Sequence, residues 1–182
     1  MAFPAFFDAC AIYGITLSDL LLRLADDGVF RPLWSEQVLD EVRRNAVAAG
    51  ASPSRIDRRL SMMRTYFPDA LVTGHEDLAE GLTCDPKDRH VLAAAVRAGA
   101  DVLVTFNLRD FPPASLAVLD VETVHPDDFL LDQLDLFPGV VTRVLRELAE
   151  DYVDPPQSVE DILDTLRRAG VPRFAIDVRR YL

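Results

Sequence analysis

Apolar and polar positions follow two kinds of pattern along this chain. Short apolar runs bounded by polar residues predict buried strands at residues 3–7, 29–33, 71–73, 102–105 and 116–121. Apolar residues recurring every three or four positions predict helices at residues 18–27, from 35 onward, at 52–63, between 85 and 99, after 125, at 140–152 and at 158–169. Helices alternating with short strands predict an α/β fold, a three-layer α/β/α sandwich with a central parallel sheet.

The pattern changes in the last third of the chain, where it becomes wholly helical. We therefore predict an α/β domain at residues 1–130 and a helical C-terminal extension at residues 131–182. The total length of 182 residues accommodates one domain of roughly 100–150 residues and such an extension.

The clearest local pattern lies between Asp85 and Pro112. Asp85 is a candidate N-cap followed by a proline at the first helical position, and Gly99 is a candidate helix stop. The β-branched run at residues 102–105 follows directly. This stretch therefore predicts one helix–strand unit of a parallel sheet.

Composition limits the function classes. Thirty acidic and 19 basic residues give a net charge of −11, which argues against a broad basic face for nucleic acid but is compatible with a carboxylate-rich metal site. Two cysteines and three scattered histidines argue against structural zinc. Without a basic leader or an apolar run near the ~20 residues of a membrane span, we expect a cytoplasmic protein that does not enter membranes.

Oxygen-bearing side chains follow two of the predicted strands. Asp8 comes directly after the strand at residues 3–7, and Asn107 and Asp110 follow the strand at residues 102–105. Parallel strands present such groups at one edge of the sheet. Asp88, in the first turn of one helix, and Glu41, one turn into the helix that Ser35 caps, could reach the same edge. A set of oxygens without histidine or cysteine favours Mg²⁺ or Mn²⁺.

Each of these residues also has a purely structural explanation. Asp8 could simply end a strand, and Glu41 could be a solvated carboxylate on a polar helix face. Asp85 and Asp88 fit helix-capping positions, and residues 107–110 fit an ordinary turn. Only their combination predicts a metal site.

The combination resembles the motifs of PIN-domain proteins over residues 3–125. The segment from Asp85 to Pro112 resembles the third and fourth motifs, Asp8 with the preceding Phe-Phe resembles the first, and the serine-capped helix carrying Glu41 resembles the second. The resemblance implies a Mg²⁺- or Mn²⁺-dependent endoribonuclease, commonly a VapC-type toxin of a type II toxin–antitoxin pair. The metal-site residues that it implies are Asp8, Glu41, Asp88, Asn107 and Asp110, of which the four acids are the expected catalytic residues.

One position departs from the family pattern. The first motif usually continues with Thr-Asn or Ser-Ser, whose hydroxyl helps to position the aspartate, whereas here Asp8 is followed by Ala9 and Cys10. The resemblance therefore implies the acid but not its usual support. The C-terminal extension resembles the helical tail of one subgroup of these toxins.

The expected partners are an RNA substrate, a cognate antitoxin and a second copy of the chain, all implied by the resemblance. Arg55, Arg58 and Arg59 share a helix face that either guides RNA or is a solvated face paired with acids; Arg64, Arg43 and Arg44 are close in sequence. An antitoxin peptide would lie in an apolar groove between the helices of residues 20–24 and 38–42, and could insert an arginine among the acids.

Two rival functions remain open at this point. The first is a PIN-like binding module without catalysis, and the second is another Mg²⁺-dependent phosphoryl hydrolase, such as a phosphatase or DNA nuclease. A haloacid-dehalogenase phosphatase requires Asp-x-Asp after its first strand, and Cys10 occupies the second position. A redox enzyme is disfavoured because the chain has neither a glycine-rich dinucleotide loop nor a Cys-x-x-Cys motif.

Overall fold

A computed structural model describes residues 2–182 and contains a five-stranded parallel sheet in the order β3-β2-β1-β4-β5. The strands are β1 (Phe3–Phe7), β2 (Phe30–Ser35), β3 (Leu71–Val72), β4 (Val102–Val104) and β5 (Glu122–Val124). Central β1 pairs with both β2 and β4, and Phe7 lies opposite Val104. Asp8 and Thr105, the next residue of each strand, therefore lie at the same edge of the sheet.

Ten α-helices pack around this sheet within the described part of the chain. They are α1 (Ala9–Tyr13), α2 (Ile15–Asp26), α3 (Glu36–Ala48), α4 (Pro53–Tyr66), α5 (Arg89–Arg97), α6 (Pro113–Leu116), α7 (Pro126–Leu136), α8 (Pro138–Asp151), α9 (Val159–Arg168) and α10 (Pro172–Asp177). The Ser35 hydroxyl accepts the Val38 amide and begins α3, as its sequence predicts. The predicted three-layer α/β/α sandwich is confirmed.

Two predicted element boundaries are wrong. The helix expected to begin after Asp85 begins at Arg89. Residues 85–88 instead form a turn in which the Asp88 amide donates to the Asp85 carbonyl at 2.9 Å and the Lys87 amide donates to the Asp85 carboxylate at 3.0 Å. This side-chain hydrogen bond competes with helix formation.

The strand expected at residues 116–121 is the second error, because Leu116 ends α6 and the strand follows at Glu122–Val124. Leu116 and Leu119 pack against the core from a helix end and a turn. An apolar run alone therefore did not distinguish a strand from a buried turn.

The C-terminal helices share one hydrophobic core with the sheet. Phe129 of α7 packs against Phe3, Phe7 and Phe30 with ring centroids 5.0–6.2 Å apart. Helix α8 packs against α2. The predicted domain division after residue 130 lies inside α7 and stays a prediction. No helix within residues 2–182 has both the length and the apolar character required to cross a membrane.

Candidate active site

Asp8 occupies the point where the first strand ends and α1 begins. Its carboxylate is only 4% exposed and accepts the Ala9 amide through Oδ1 at 2.7 Å. Oδ2 accepts the Thr105 hydroxyl at 2.7 Å, across from the end of β4. The pairing of two central strands thus holds this acid in a fixed orientation at the sheet edge.

Cys10 contacts the Asp8 carboxylate where the family's first motif usually has a hydroxyl. Its thiol donates to Asp8 Oδ2 at 3.1 Å, lies 3.4 Å from the Thr105 hydroxyl, and accepts the Phe106 amide at 3.3 Å. Burial, followed by the charge of Asp8, raises the pKa of Cys10 to about 12. The group therefore remains a thiol at neutral pH and can act as the hydrogen-bond donor.

A tight cluster of carboxylates lies beside Asp8. One oxygen each of Asp85, Asp88 and Asp110 lies within 4.8 Å of the other two. The Asp85 amide donates to the Asp110 carbonyl at 3.0 Å and so joins the two loops that carry the cluster. Asp88 and Asp110 were predicted site residues, whereas Asp85 was expected only to cap a helix. Its three-residue spacing from Asp88 was the signal available in the sequence.

The cluster is electrostatically unfavourable without a cation. Burial, with the charges of Asp8 and Asp110, raises the pKa of Asp88 to about 6. Asp88 Oδ2 is buried and, among the residues described, has no hydrogen-bond partner. An unpaired buried oxygen among close carboxylates fits a hard divalent cation such as Mg²⁺ or Mn²⁺. The arrangement can therefore bind a metal ion.

Glu41 reaches the site through a histidine rather than through the tight cluster. Glu41 Oε2 on α3 lies 4.0 Å from His90 Nε2 on α5. Burial lowers the pKa of His90, while the charges of Glu41 and Asp8 oppose this effect. The charges of both Glu41 and Asp8 thus act on His90, a residue that sequence reasoning missed. Its position two residues after Asp88 was the only available signal.

Asn107 begins the loop that carries Asp110. Its backbone amide donates to the Thr105 hydroxyl at 3.0 Å, and its carbonyl accepts the Asp110 amide at 3.0 Å. The residue is exposed at the sheet edge. The five predicted residues therefore lie along one rim, with Asp88 and Asp110 in the cluster, Asp8 beside it, Glu41 beside His90, and Asn107 at the open side.

Two family models match successive parts of the chain. The family model described as "PIN domain" matches residues 4–109, more than half of the chain. The chain belongs to the PIN-domain family. A second model, described as "VapC50 C-terminal domain", matches residues 126–180.

A similar curated protein, named "Putative ribonuclease VapC50", comes from Mycobacterium tuberculosis (strain ATCC 25618 / H37Rv). It is 42% identical over 130 residues, which cover 69% of this chain and 76% of that protein. No solved structure matches the chain.

The arginine face expected on α4 of this PIN domain is largely used for internal contacts. Arg59 donates to the carbonyls of Ile12 and Tyr13 at 2.5 and 3.0 Å and so stabilises the end of α1. Arg64 binds Glu36 through two hydrogen bonds, and Arg43 binds Asp57 likewise. Within residues 2–182, the arginines of this region that are exposed and form no salt bridge are Arg44, Arg55 and Arg58.

The open apolar groove of the PIN domain lies elsewhere than expected. Residues 38, 39 and 42 of α3 are buried, and α1 packs against both α2 and α3. A groove of about 480 Å³ lies instead between α2 and α4. Its lining includes the apolar side chains of Ile15, Leu22, Met62 and Tyr66.

Proposed function

We propose that this PIN-domain protein is a Mg²⁺- or Mn²⁺-dependent endoribonuclease and the toxin of a type II toxin–antitoxin pair. The observation that carries the proposal is the buried, unpartnered oxygen of Asp88 within a cluster of acids at the carboxyl ends of β1 and β4. The ribonuclease name of the mycobacterial relative supports the same activity.

Asp8, Glu41, Asp88, Asn107 and Asp110 would hold the cation, with Asp85 completing the cluster. When bound, the cation supplies positive charge that stabilises the charge developing on a phosphodiester. The Thr105 and Cys10 side chains keep the Asp8 carboxylate in place, which limits its movement during the reaction. The carboxylates would also orient an attacking water, and a carboxylate oxygen of the cluster that does not bind the cation would accept its proton.

Basic side chains at the edge of the acidic rim would contact the RNA phosphates. Arg44 is exposed and lies one turn after Glu41 on α3. Lys87 adjoins Asp88, and exposed Arg109 adjoins Asp110. These three residues bring positive charge close to the scissile bond in a chain whose net charge is −11.

The groove between α2 and α4 is the proposed site of the antitoxin peptide. It combines apolar residues such as Met62 and Tyr66 with the charged residues Asp19, Arg23 and Asp26. An amphipathic peptide would bury apolar side chains there and pair its charges at the rim. The homodimer implied by the family resemblance also stays a proposal.

Cleavage by the antitoxin-free protein tests this function directly. Chelator-treated protein would be supplied with Mg²⁺ or Mn²⁺ and given single-stranded RNA, single-stranded DNA and a phosphomonoester. We expect metal-dependent cleavage of RNA by the wild type and its loss in Asp88→Asn. The matched control is Asp101→Asn, which changes an exposed acid at the opposite end of β4.

The same assay separates the rival functions. Cleavage of the phosphomonoester or of DNA in preference to RNA would favour another phosphoryl hydrolase. RNA binding without cleavage under either metal would favour a catalytically silent binding module. Equal cleavage by the wild type and Asp88→Asn would overturn the site assignment.

A further inference from the structure

One residue of the site loop is contacted by the C-terminal helices. Phe106 lies between Thr105, which donates to Asp8, and Asn107. Its own amide donates to Cys10 Sγ at 3.3 Å. The backbone of Phe106 therefore belongs to the hydrogen-bond network that holds Asp8.

The aromatic ring of Phe106 packs against the turn between α9 and α10. A methyl group added at Gly170 in that turn would lie 2.8 Å from Cε1 of this ring, closer than atoms can pack. Gly170 also has φ +99°, a conformation that other residues rarely adopt. The absence of a side chain at residue 170 thus allows the C-terminal region to touch the site loop.

A second contact to the same ring comes from the start of α7. The rings of Phe106 and His125 are perpendicular, at 86°, with centroids 5.0 Å apart. His125 is fixed in turn, because its Nδ1 accepts the Asp127 amide at 3.1 Å. Two separate segments, residues 125 and 170, therefore contact the ring.

The rest of the loop has little packing of its own. Residues 107–109 are exposed, while Thr105 and Phe111 on either side are buried. Phe106 is the partly buried side chain that packs against the core between them. The ring therefore adds a side-chain contact to the backbone hydrogen bonds that hold the loop at Asn107 and Asp110.

We propose that Phe106, held by Gly170 and His125, is a positioning residue through which the C-terminal helices orient the loop of residues 105–110. The inference rests on the proposed function, since the loop presents Asn107 and Asp110 to the cation. A helical region that does not itself carry the acids would thus control their geometry. Small displacements of such supporting contacts weaken metal sites measurably.

Gly170→Ala tests this inference against Gly50→Ala as a matched control. Gly50 has φ +93°, and an added methyl there meets nothing within 4 Å, so the two changes share the backbone strain but only one strikes Phe106. We expect Gly170→Ala to weaken Mn²⁺ binding, measured by electron paramagnetic resonance, and to lower the RNA cleavage rate, each by about tenfold. Gly50→Ala should leave both unchanged, with a fall in melting temperature that reflects the backbone strain alone.

Two further variants keep the test decisive if Gly170→Ala folds poorly. Phe106→Ala removes the ring without new strain and should weaken Mn²⁺ binding by a similar factor. Phe106→Leu combined with Gly170→Ala makes room for the methyl group and should recover part of the lost affinity. Equal Mn²⁺ affinities for the wild type, Gly170→Ala and Phe106→Ala would overturn the inference.

The two readouts also separate this inference from the proposed function. Weakened Mn²⁺ binding in Gly170→Ala, together with a wild type that cleaves no RNA, would support the positioning role and contradict the ribonuclease. RNA cleavage by the wild type, with Gly170→Ala matching Gly50→Ala in both readouts, would support the ribonuclease and contradict the positioning role.

Discussion

Two equally buried aspartates, one at the sheet edge and one in α7, have different surroundings. Asp127 of α7 and Asp8 at the sheet edge are each 4% exposed. Both oxygens of Asp127 accept backbone amides at the start of α10, from Phe174 at 2.9 Å and from Arg173 at 3.1 Å. Asp8 has hydrogen-bond donors as well, but it also lies close enough to Asp88 to raise the pKa of that neighbour.

This difference indicates that Asp127 stabilises the fold, whereas the acids at the sheet edge bind a ligand. Asp127 is compensated by amides of its own chain and joins α7 to α10. At the sheet edge, three carboxylates lie together and Asp88 keeps an unpartnered oxygen, so compensation must come from outside the chain. A change at Asp127 should therefore affect stability, and a change at the rim should affect activity.

The largest expected effect follows from Asp8→Asn. Removing this charge from the rim should lower RNA cleavage by a factor of about 100 or more, because cation binding and its geometry are both lost. The variant should remain folded, as shown by an unaltered far-ultraviolet circular dichroism spectrum. Single-turnover rates at saturating Mg²⁺ measure the effect. A rate within a fewfold of that of the wild type would contradict the assignment of Asp8 to the active site.

Asp127→Ala should produce the reverse pattern. It leaves the buried Phe174 amide and the partly buried Arg173 amide without an acceptor, so we expect the free energy of unfolding to fall by about 2 kcal/mol. Urea denaturation measures this change, and the cleavage rate per folded molecule should stay close to that of the wild type. Asp128→Ala is the control, since the Asp128 side chain is half-exposed and its bond to Arg173 should contribute less than about 1 kcal/mol. Equal destabilisation by both variants would contradict the structural role of Asp127.

The raised pKa of Asp88 predicts a pH effect in the metal-free protein. The pKa of Asp88 is about 6 in the folded protein and near 3.8 in the unfolded chain. The folded state therefore binds the proton of this carboxyl more tightly. The ionised acid therefore destabilises the protein fully above pH 6, and this cost disappears as the pH falls toward 4. Solvent screening limits the cost to the order of 1 kcal/mol.

Asp88→Asn provides the comparison for that pH effect. The variant should be more stable than the wild type at pH 7, by a margin that shrinks at pH 5, in urea denaturation without metal. Added Mg²⁺ should reverse the order at pH 7, since only the wild type retains the full site. A margin that does not change with pH would contradict the electrostatic account.

The smallest expected effect concerns the thiol that supports Asp8. Cys10→Ser keeps a donor within reach of the carboxylate and should leave the cleavage rate within about twofold. Cys10→Ala removes the donor and should lower the rate by up to about tenfold. Equal rates for the two variants would show that Thr105 alone is sufficient to orient Asp8.

Local sequence patterns predicted the helices and strands that hold the acidic residues of the sheet edge. Contacts between segments distant in sequence could not be predicted in this way. Element ends are marked by residues close in sequence, such as the glycine after α5, the serine before α3 and the acid after β1. These signals were sufficient to propose residues 8, 41, 88, 107 and 110 as site residues. The Asp85 turn was mistaken for a helix because an aspartate with a following proline suits both structures.

The remaining errors have a spatial cause. Arg59 could not be assigned to the end of α1 from its own helix periodicity, because its carbonyl partners lie 46 and 47 residues away. The contact of Gly170 with Phe106 likewise joins two segments that no local pattern connects. Such pairings depend on the packing of whole helices, which single-segment patterns do not specify.

The most direct test of the account is a calorimetric titration of Mn²⁺ into the wild type, Asp88→Asn and Asp101→Asn. If the unpartnered oxygen of Asp88 marks a cation site, the wild type and Asp101→Asn should bind Mn²⁺ equally. Asp88→Asn should then bind it at least about tenfold more weakly. Equal affinity in all three proteins would contradict the assignment of the acidic rim as the metal centre.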